Sequence, residues 1–431
     1  MTIVRPPESP ASSDEPRSIP VSANPPVSAV SRKYASIFTL QIAHDLPAAL
    51  TATMAPTLFV KQLGMELSMI GVFFLPFVIT ALKWLWAPIV DNYYNPSLGR
   101  RKSWLAPLTF LVAASFLAVS FVEPSLDNLF LIVSLFMVKQ IFFATQEVAA
   151  DAYVVENLED GERGVGASVV WLGKEFGQII GFAGLVTVAD KLGWQTAFSA
   201  AAGLFILFNL PVILRAEQPT SVAAQTQRAD LRHFFARSVN WWVMSVVFAV
   251  SFAVQMPVAV IGPFLGDKGF TLSQIAVILG VSASIGAIIS LSLASQVIKR
   301  LGAKRTAVLM LFIAPLASPG FFWLAAQDEA SLRAVIIIIL LATIFTAPLR
   351  MVLYAARIGW TSKNQAGTDI TAQQSVWFLG YAAAGGCAGV IASSLGWTGF
   401  FAINVLLTFL AMIYFISQHD RIQQRVEALY Q

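Results

Sequence analysis

Apolar stretches long enough to cross a bilayer follow one another along almost the whole chain. A transmembrane helix needs about 20 predominantly apolar residues, and in lipid only helices and closed barrels satisfy the backbone hydrogen bonds. Twelve such spans are predicted, at 36–60, 67–89, 104–122, 129–153, 165–189, 195–214, 241–265, 272–297, 306–326, 332–356, 367–393 and 397–417. Charged residues make up only 12% of the chain, against about 25% in soluble domains. We therefore expect an all-α polytopic membrane protein with twelve transmembrane helices.

The longest internal polar segment divides the twelve spans into two sets of six. The predicted regions are a disordered cytoplasmic tail at 1–33, an N-terminal six-helix bundle at 34–214, a cytoplasmic linker at 215–240, a C-terminal six-helix bundle at 241–418 and a cytoplasmic tail at 419–431. Disorder is expected in the first tail because it is rich in Pro, Ser and acidic residues and has no apolar core.

Lys and Arg residues predict the orientation of the chain in the membrane. With a cytoplasmic N-terminus, nineteen basic residues fall on the inner side, and only Lys61, Lys191, Lys268 and Arg333 fall in outer loops. This asymmetry follows the positive-inside rule, so both termini are expected in the cytoplasm. It also explains the net charge of +4 without a nucleic-acid partner.

Three pairs of similar segments relate the two sets of spans. They pair the segments 190–198 and 394–401, 171–173 and 377–380, and 99–102 and 299–305. The members of each pair lie roughly 200 residues apart and on the same predicted side of the membrane, which indicates a parallel duplication. The two six-helix bundles should therefore be pseudo-symmetric.

The loop after the second span carries a family resemblance. The segment 83–91 (KWLWAPIVD) ends in Asp91 and is followed by Gly99, Arg100, Arg101 and Lys102. An aspartate followed by a glycine and a basic cluster is similar to the loop between helices two and three of the major facilitator superfamily. The long gap after Asp91, together with the segment 144–152 (ATQEVAADA), resembles the branch that holds AmpG muropeptide permeases, acetyl-coenzyme A transporters and RhtX/FptX siderophore importers. The resemblance implies secondary active transport of a small solute by alternating access.

Within that branch, the compact length and the segments 45–47 and 99–107 look most like the RhtX/FptX importers. The resemblance implies proton-driven import of a siderophore or iron–siderophore across a bacterial inner membrane by a monomer, with no cofactor and no resident metal. An AmpG-type permease for anhydromuropeptides, or for another anionic solute, is the alternative.

Polar and charged residues inside the spans mark candidate sites, because an ionisable group at the centre of a span costs about 2.5–3.5 kcal/mol. Helices one, four, seven and ten line the central cavity of major facilitators, and the resemblance directs four of the charged candidates toward it. The candidates for substrate binding or proton coupling are Asp45, Lys139, Glu147, Lys174, Glu175, Arg350, Gln255, Gln374, Trp377 and Tyr381.

Each of these candidates also has a structural interpretation. Asp45, just before the helix-distorting Pro47, is either a coupling site or the partner of a lysine in a structural ion pair. Arg350 meets either an anionic ligand or an acid of the other half. Trp377 and Tyr381 either stack on a ligand ring or pack between helices.

Four further residues are candidates for a gate on the cytoplasmic side, namely Asp91, Arg100, Arg101 and Asp151. The basic loop either fixes topology alone or forms a network with Asp91 and with Asp151 or Glu156. Arg357, near the cytoplasmic surface, is expected to extend its charge to the membrane interface.

Other functional classes find little support in the sequence. A membrane-embedded enzyme is a remote alternative, because His44 is the single histidine inside a span and the chain has no His-Glu-x-x-His or Gly-x-Ser-x-Gly motif. The glycine-rich segment 164–174 lacks the spacing of a phosphate-binding loop, which argues against an ATP-driven pump.

Overall fold

A computed structural model of the protein describes residues 27–158, 163–215, 236–360 and 366–428. Within these ranges helices cover all twelve predicted spans and there is no β-strand, which confirms the all-α membrane fold. Most of the predicted linker and most of the predicted N-terminal tail lie outside the described residues. The first helix begins at Val27, inside the predicted tail, and the last continues to Ala428.

The first half contains helices α1 to α6. They are α1 (Val27–Ala48, the π-helical turn Ala49–Met54 and Ala55–Lys61), α2 (Leu67–Phe74, Leu75–Leu82, Lys83–Leu85 and Ala87–Asn92), α3 (Lys102–Ser120), α4 (Leu129–Asn157), α5 (Arg163–Ile179, the π-helical turn Ile180–Val186 and Thr187–Leu192) and α6 (Trp194–Leu214). Pro47 cannot donate a backbone hydrogen bond, and α1 widens into its π-helical turn directly after it.

The second half contains helices α7 to α12. They are α7 (Ser238–Asp267), α8 (272–301, with the π-helical turn Ile278–Ser282), α9 (303–326), α10 (Leu332–Gly359), α11 (366–395) and α12 (397–428). The non-helical residues Gly302 and Gly396 separate α8 from α9 and α11 from α12.

Large apolar side chains cover the outside of both bundles. Phe110, Phe130, Leu207 and Ile337 are all more than half exposed. In a water-soluble monomer such a surface would cause aggregation, whereas in a bilayer it contacts lipid tails. The surface therefore agrees with the apolar spans in assigning the bundle to the membrane.

Glycines with positive φ show the internal duplication in the backbone itself. The described residues contain six of them, and they form the pairs Gly64 and Gly269, Gly99 and Gly302, and Gly193 and Gly396. The members of each pair occupy equivalent turns of the two halves, roughly 200 residues apart. Two of these pairs lie in or beside segments whose sequences resemble each other.

A row of glycines brings α5 against α1 at backbone distance. Side chains at Gly173, Gly177 and Gly181 would lie 2.6–2.7 Å from the carbonyl oxygens of Phe38, Ile42 and Leu46, respectively. Small residues at this spacing allow two helices to approach closely. In the second half Gly380 of α11 lies in the same way against α7, since its Cβ would be 3.0 Å from the Phe248 carbonyl oxygen.

The two halves pack together at one end of the bundle. We call it the outer end, because it carries the turns at 62–66, 193, 268–271 and 396 that the distribution of Lys and Arg predicts to face outside. There α11 lies so close to α2 that a Cβ at Gly71 would be 2.8 Å from the Gly386 Cα. Cys387, the single cysteine of the chain, is exposed on α11 beside this contact. The structure is thus closed at its outer end.

Candidate functional site

A buried lysine and two carboxylates form the centre of the candidate site. The Nζ atom of Lys83, on α2, lies 2.8 Å from Glu147 Oε2 and 3.9 Å from Asp151 Oδ2, both on α4. The Lys83 side chain is only 2% exposed, whereas that of Asp151 is 63% exposed. We call Lys83, Glu147 and Asp151 the charged triad. A buried ammonium of this kind requires its carboxylate partners, because desolvation of an isolated charge is expensive.

Local sequence explains how α2 directs Lys83 inward. Lys83 begins a short 3-10 turn, Lys83–Leu85, which precedes the helical segment Ala87–Asn92 with Pro88 in its first turn. Proline is well accommodated there because its missing N–H has no helical partner in the first turn. Glu147 and Asp151 are four residues apart on α4, so one helix face presents both carboxylates to the lysine.

His44 and Lys174 lie around the triad. The charges of Glu147, Lys174 and Lys83 all act on the His44 imidazole, which packs 5.4 Å from the Phe143 ring. Among the described residues, the buried Nε2 atom of His44 has no hydrogen-bond partner. Lys83 and His44 were not among the site residues predicted from the sequence. Lys83 could have been predicted from the sequence, because it is a lysine within an apolar span and α4 carries two carboxylates one helical turn apart.

The second half contributes aromatic rings beside the triad. Lys83 Nζ lies 5.8 Å from the centroid of the Phe378 ring of α11, within the range of a cation–π interaction. Phe77 stacks on Phe378 with a centroid distance of 6.4 Å and contacts Tyr381 at 4.8 Å. Tyr381, a predicted ligand-stacking residue, therefore packs in the contact between the two halves.

The three other charged candidates of the first half are Asp45, Glu175 and Lys139. Asp45 is half-buried against α5, where a Cβ at Gly177 would lie 3.0 Å from its own Cβ. Glu175 is buried on α5. Lys139 is buried inside the N-terminal bundle, where its Nζ is 2.6 Å from Gln140 Oε1 and lies over the rings of Phe116 and Phe143.

Two candidates of the second half, Gln374 and Trp377, lie beside a different group, Arg357. This arginine is buried, and its Nη2 donates to Gln374 Oε1 over 2.9 Å. The expectation that it extends to the membrane interface is therefore wrong, since neighbouring amide oxygens satisfy it in the interior. Trp377 lines a small cavity with Arg357, and Gln255 is buried on α7. Arg350 belongs to α10, but its side chain lies outside the described residues.

Three of the gate candidates, Asp91, Arg100 and Arg101, form an ion-pair network at the end of the first half that lies opposite the outer end. Arg101 donates from Nη1 to Asp91 Oδ1 over 2.7 Å and from Nη2 to Glu156 Oε1 over 2.7 Å. Arg100 also reaches Glu156, over 3.2 Å, and the backbone oxygen of Asp91. Asp151 belongs instead to the charged triad. The network thus connects the α2–α3 loop to the end of α4 through Glu156.

Arg101 keeps its positive charge in this network. Burial alone would lower the pKa of its guanidinium, but the hydrogen bonds and negative charges of Glu156 and Asp91 outweigh that effect and raise the pKa. The planar guanidinium of Arg101 donates hydrogen bonds to both carboxylates at once, and the ammonium of a lysine is less suited to this geometry.

Replacing Arg101 with lysine should therefore weaken the network while preserving its charge. We expect Arg101→Lys to lower the initial rate of solute uptake about tenfold, equivalent to about 1.4 kcal/mol. Uptake should be measured in cells with matched amounts of protein in the membrane. Arg305→Lys is the control, because Arg305 is exposed at the start of α9, in the equivalent basic segment of the second half. Equal uptake by both variants would show that the fork of Arg101 has no role in transport.

The described part of the chain forms twelve helices in two related halves, with ionisable groups where the halves meet. This arrangement is that of a polytopic membrane carrier of small solutes. The sequence model of the Major Facilitator Superfamily matches residues 37–347. The chain belongs to this superfamily.

Two sequence relatives extend over most of the chain. The anhydromuropeptide permease of Escherichia coli strain K12 is 25% identical over 379 residues, which cover 86% of this chain and 76% of the relative. A Rickettsia conorii protein named AmpG 4 is 25% identical over 395 residues, which cover 87% of this chain and 94% of the relative. These relatives support the AmpG-like resemblance, and neither of them is named as a siderophore importer.

Solved structures show the same fold at low sequence identity. A bacterial homologue of the human lysosomal transporter Spinster, in an inward-facing and occupied conformation, matches with a TM-score of 0.67 and 13% identity over 94% of this chain and 98% of that one. The nucleoside transporter NupG matches with a TM-score of 0.71 and 12% identity over 90% and 99%, respectively.

Proposed function

We propose that the protein is a proton-coupled importer of anhydromuropeptides or closely similar solutes, working by alternating access in the bacterial inner membrane. The names of the sequence relatives support this substrate class, which was the alternative in the sequence analysis, over the siderophore import considered first. The single observation that carries the mechanism is the buried contact of Lys83 with Glu147 beside the junction of the two halves.

The charged triad can link proton binding to solute binding. A deprotonated Glu147 neutralises the Lys83 ammonium, so a solute carboxylate gains little by approaching it. When Glu147 takes up a proton, Lys83 becomes available to the carboxylate of a peptide-bearing solute, which then replaces Glu147 as its counter-ion. In each state one negative charge is in direct contact with the buried ammonium, first that of Glu147 and then that of the solute, while the Asp151 carboxylate stays further away at 3.9 Å. A proton and a solute anion therefore occupy the site together.

Aromatic and polar groups around the triad suit the rest of such a solute. The rings of Phe77 and Phe378 provide flat apolar surfaces beside Lys83, and the Nε2 atom of His44 has no hydrogen-bond partner among the described residues. Sugar rings and peptide groups contain both apolar faces and hydrogen-bonding groups, which such a lining accommodates.

The proposal predicts that Glu147→Gln removes coupling. With labelled anhydromuropeptide, we expect this variant to lose accumulation driven by an imposed inward proton gradient, while it still exchanges labelled for unlabelled solute across the membrane. The reason is that the neutral amide mimics only the protonated state. Glu123→Gln, in the α3–α4 turn, is the matched control and should accumulate solute normally. Asp45→Asn tests the other predicted coupling site, and normal gradient-driven accumulation by that variant would exclude Asp45.

The substrate class is tested by uptake into cells that lack their own permease and siderophore importers. Anhydromuropeptide and iron–siderophore should be offered in parallel, each with and without a protonophore. Protein-dependent, protonophore-sensitive accumulation of the muropeptide alone is the expected result. Accumulation of the siderophore alone would overturn the substrate assignment and favour siderophore import, which was the first expectation from the sequence.

A further inference from the structure

Two polar contacts hold the halves together at the outer end. Lys61, the last residue of α1, forms an ion pair with Asp267, the last residue of α7. Asp267 Oδ2 also accepts a hydrogen bond of 2.7 Å from the Trp397 indole. Close by, Ser273 of α8 donates to Asp190 of α5 over 2.5 Å. We call these four contact residues, Lys61, Asp267, Asp190 and Ser273, the outer latch.

A cavity of about 310 Å³ lies beside the outer latch, between the ends of α1, α5, α7 and α8. Its polar lining comes from Thr57, Lys61, Gln62, Asp190 and Thr271. Gly266 forms part of the same wall and packs against the stem of Lys61, since a Cβ there would lie 2.7 Å from Lys61 Cγ. The α7 backbone thus holds the lysine stem along the cavity wall.

The Lys61–Asp267 pair is accessible and therefore open to competition. The two side chains are 29% and 37% exposed. Exposed ion pairs are weak because water and salt screen them, so a carboxylate brought into the cavity can take the place of Asp267. By contrast, the nearby Lys268 is buried, and its ammonium donates to the backbone oxygens of Ala325 and Gln327.

We propose that this cavity is the entry site for a solute carboxylate, which displaces Asp267 from Lys61 and so opens the outer end. The inference rests on the proposed function in one respect, namely that the solute arrives from the outer side and carries a carboxylate. Asp190, on the same cavity wall, provides a second polar contact for the hydroxyl or ammonium groups of the solute. Lys61 then has two roles, one in closing the outer end and one in capturing the anion.

Two variants that break the same ion pair separate these roles. Asp267→Asn opens the latch and leaves Lys61 available, whereas Lys61→Gln opens the latch and removes the cation. The reporter is Thr57→Cys in a Cys387→Ser background, because Thr57 lines the cavity and is only 1% exposed in the closed structure. Its rate of modification by a membrane-impermeant maleimide, applied from outside, measures opening without requiring translocation.

The probe is anhydromuropeptide, and the quantity compared is its half-saturating concentration for the change in labelling rate. Without probe, both variants should be labelled faster than the parent by similar factors. The half-saturating concentration of anhydromuropeptide should be about two- to fivefold lower for Asp267→Asn than for the parent, because the exposed ion pair no longer opposes opening. For Lys61→Gln the half-saturating concentration should be at least about threefold higher than for the parent, since this variant lacks the ammonium that binds the solute carboxylate. Arg333→Gln, which removes an exposed outer cation away from the cavity, should behave like the parent.

Equal shifts of the half-saturating concentration in both variants would show that Lys61 only latches the outer end, which would overturn the entry site. Labelling of the parent that does not respond to the probe would overturn it as well. A probe response in the parent without uptake in the transport assay would contradict the proposed import while supporting the entry site. The two proposals therefore fail in different measurements.

Discussion

Gly389→Ala is expected to lower gradient-driven uptake about tenfold or more, because the closed outer end has no room for a methyl group there. A Cβ at Gly389 of α11 would overlap the carbonyl oxygen of Leu67 in α2 and the side chain of Ile70. Forcing atoms into a packed contact costs about 1–3 kcal/mol, and here the whole cost falls on the state in which α2 and α11 touch. A carrier that cannot populate this state releases less solute to the inner side.

The control for this prediction lies three residues away. A Cβ at Gly386 meets nothing within 4 Å, so Gly386→Ala should transport like the parent although it makes the same change on the same helix. Initial uptake rates and half-saturating solute concentrations should be measured for both variants. The outward-facing state should become more populated in Gly389→Ala, so its apparent affinity for solute added outside should rise while its rate falls. A normal rate in this variant would mean that the α2–α11 contact is not part of the transport cycle.

Lys83→Met should be the most damaging single change among the charged residues of the first half. It leaves Glu147 facing an apolar interior without its closest cation, and breaking one partner of a buried pair costs about 3–5 kcal/mol. We expect a large loss of thermal stability in purified protein and no detectable uptake. The stability loss should be measured in detergent or in lipid nanodiscs by the midpoint of thermal unfolding.

The double variant Lys83→Met/Glu147→Leu distinguishes stability from transport. Removing both partners eliminates the uncompensated charge, so most of the thermal stability should return. Uptake should stay absent, because neither the proton-binding carboxylate nor the ammonium remains. Recovery of uptake together with stability would show that the pair serves only to hold α2 against α4. Lack of any recovery of stability would indicate that the two residues contribute through separate partners.

The helical membrane architecture could be predicted from the sequence because the position of each span along the chain follows from local composition. Backbone groups in lipid must be paired within a helix, so apolar length alone locates the spans. The duplication was also visible, because glycines with positive φ cannot easily be replaced and keep their positions in both halves. Gly193 and Gly396 each stand in a Leu-Gly-Trp segment and form the same turn in their own half.

The candidate site was only partly predictable, because pairing depends on helix rotation and depth. Glu147 was predicted from the sequence as a candidate for proton coupling, but its partner Lys83 was not predicted, since the 3-10 turn that begins at Lys83 has no strong sequence signal. Lys139 was expected to face the central cavity, yet it lies among Phe116, Phe143 and Gln140 inside one bundle. A shift of one residue rotates a side chain by about 100° around a helix, which periodicity alone does not resolve in a uniformly apolar span.

The glycine contact between α2 and α11 has a practical consequence for spectroscopy. Cys387 is exposed one residue after Gly386, and the whole chain contains no other thiol. An environment-sensitive fluorophore attached to the native protein through this sulfur would therefore sit beside the helices that separate when the outer end opens. Stopped-flow emission from one label, without any engineered cysteine, would then time that separation against the arrival of protons and solute.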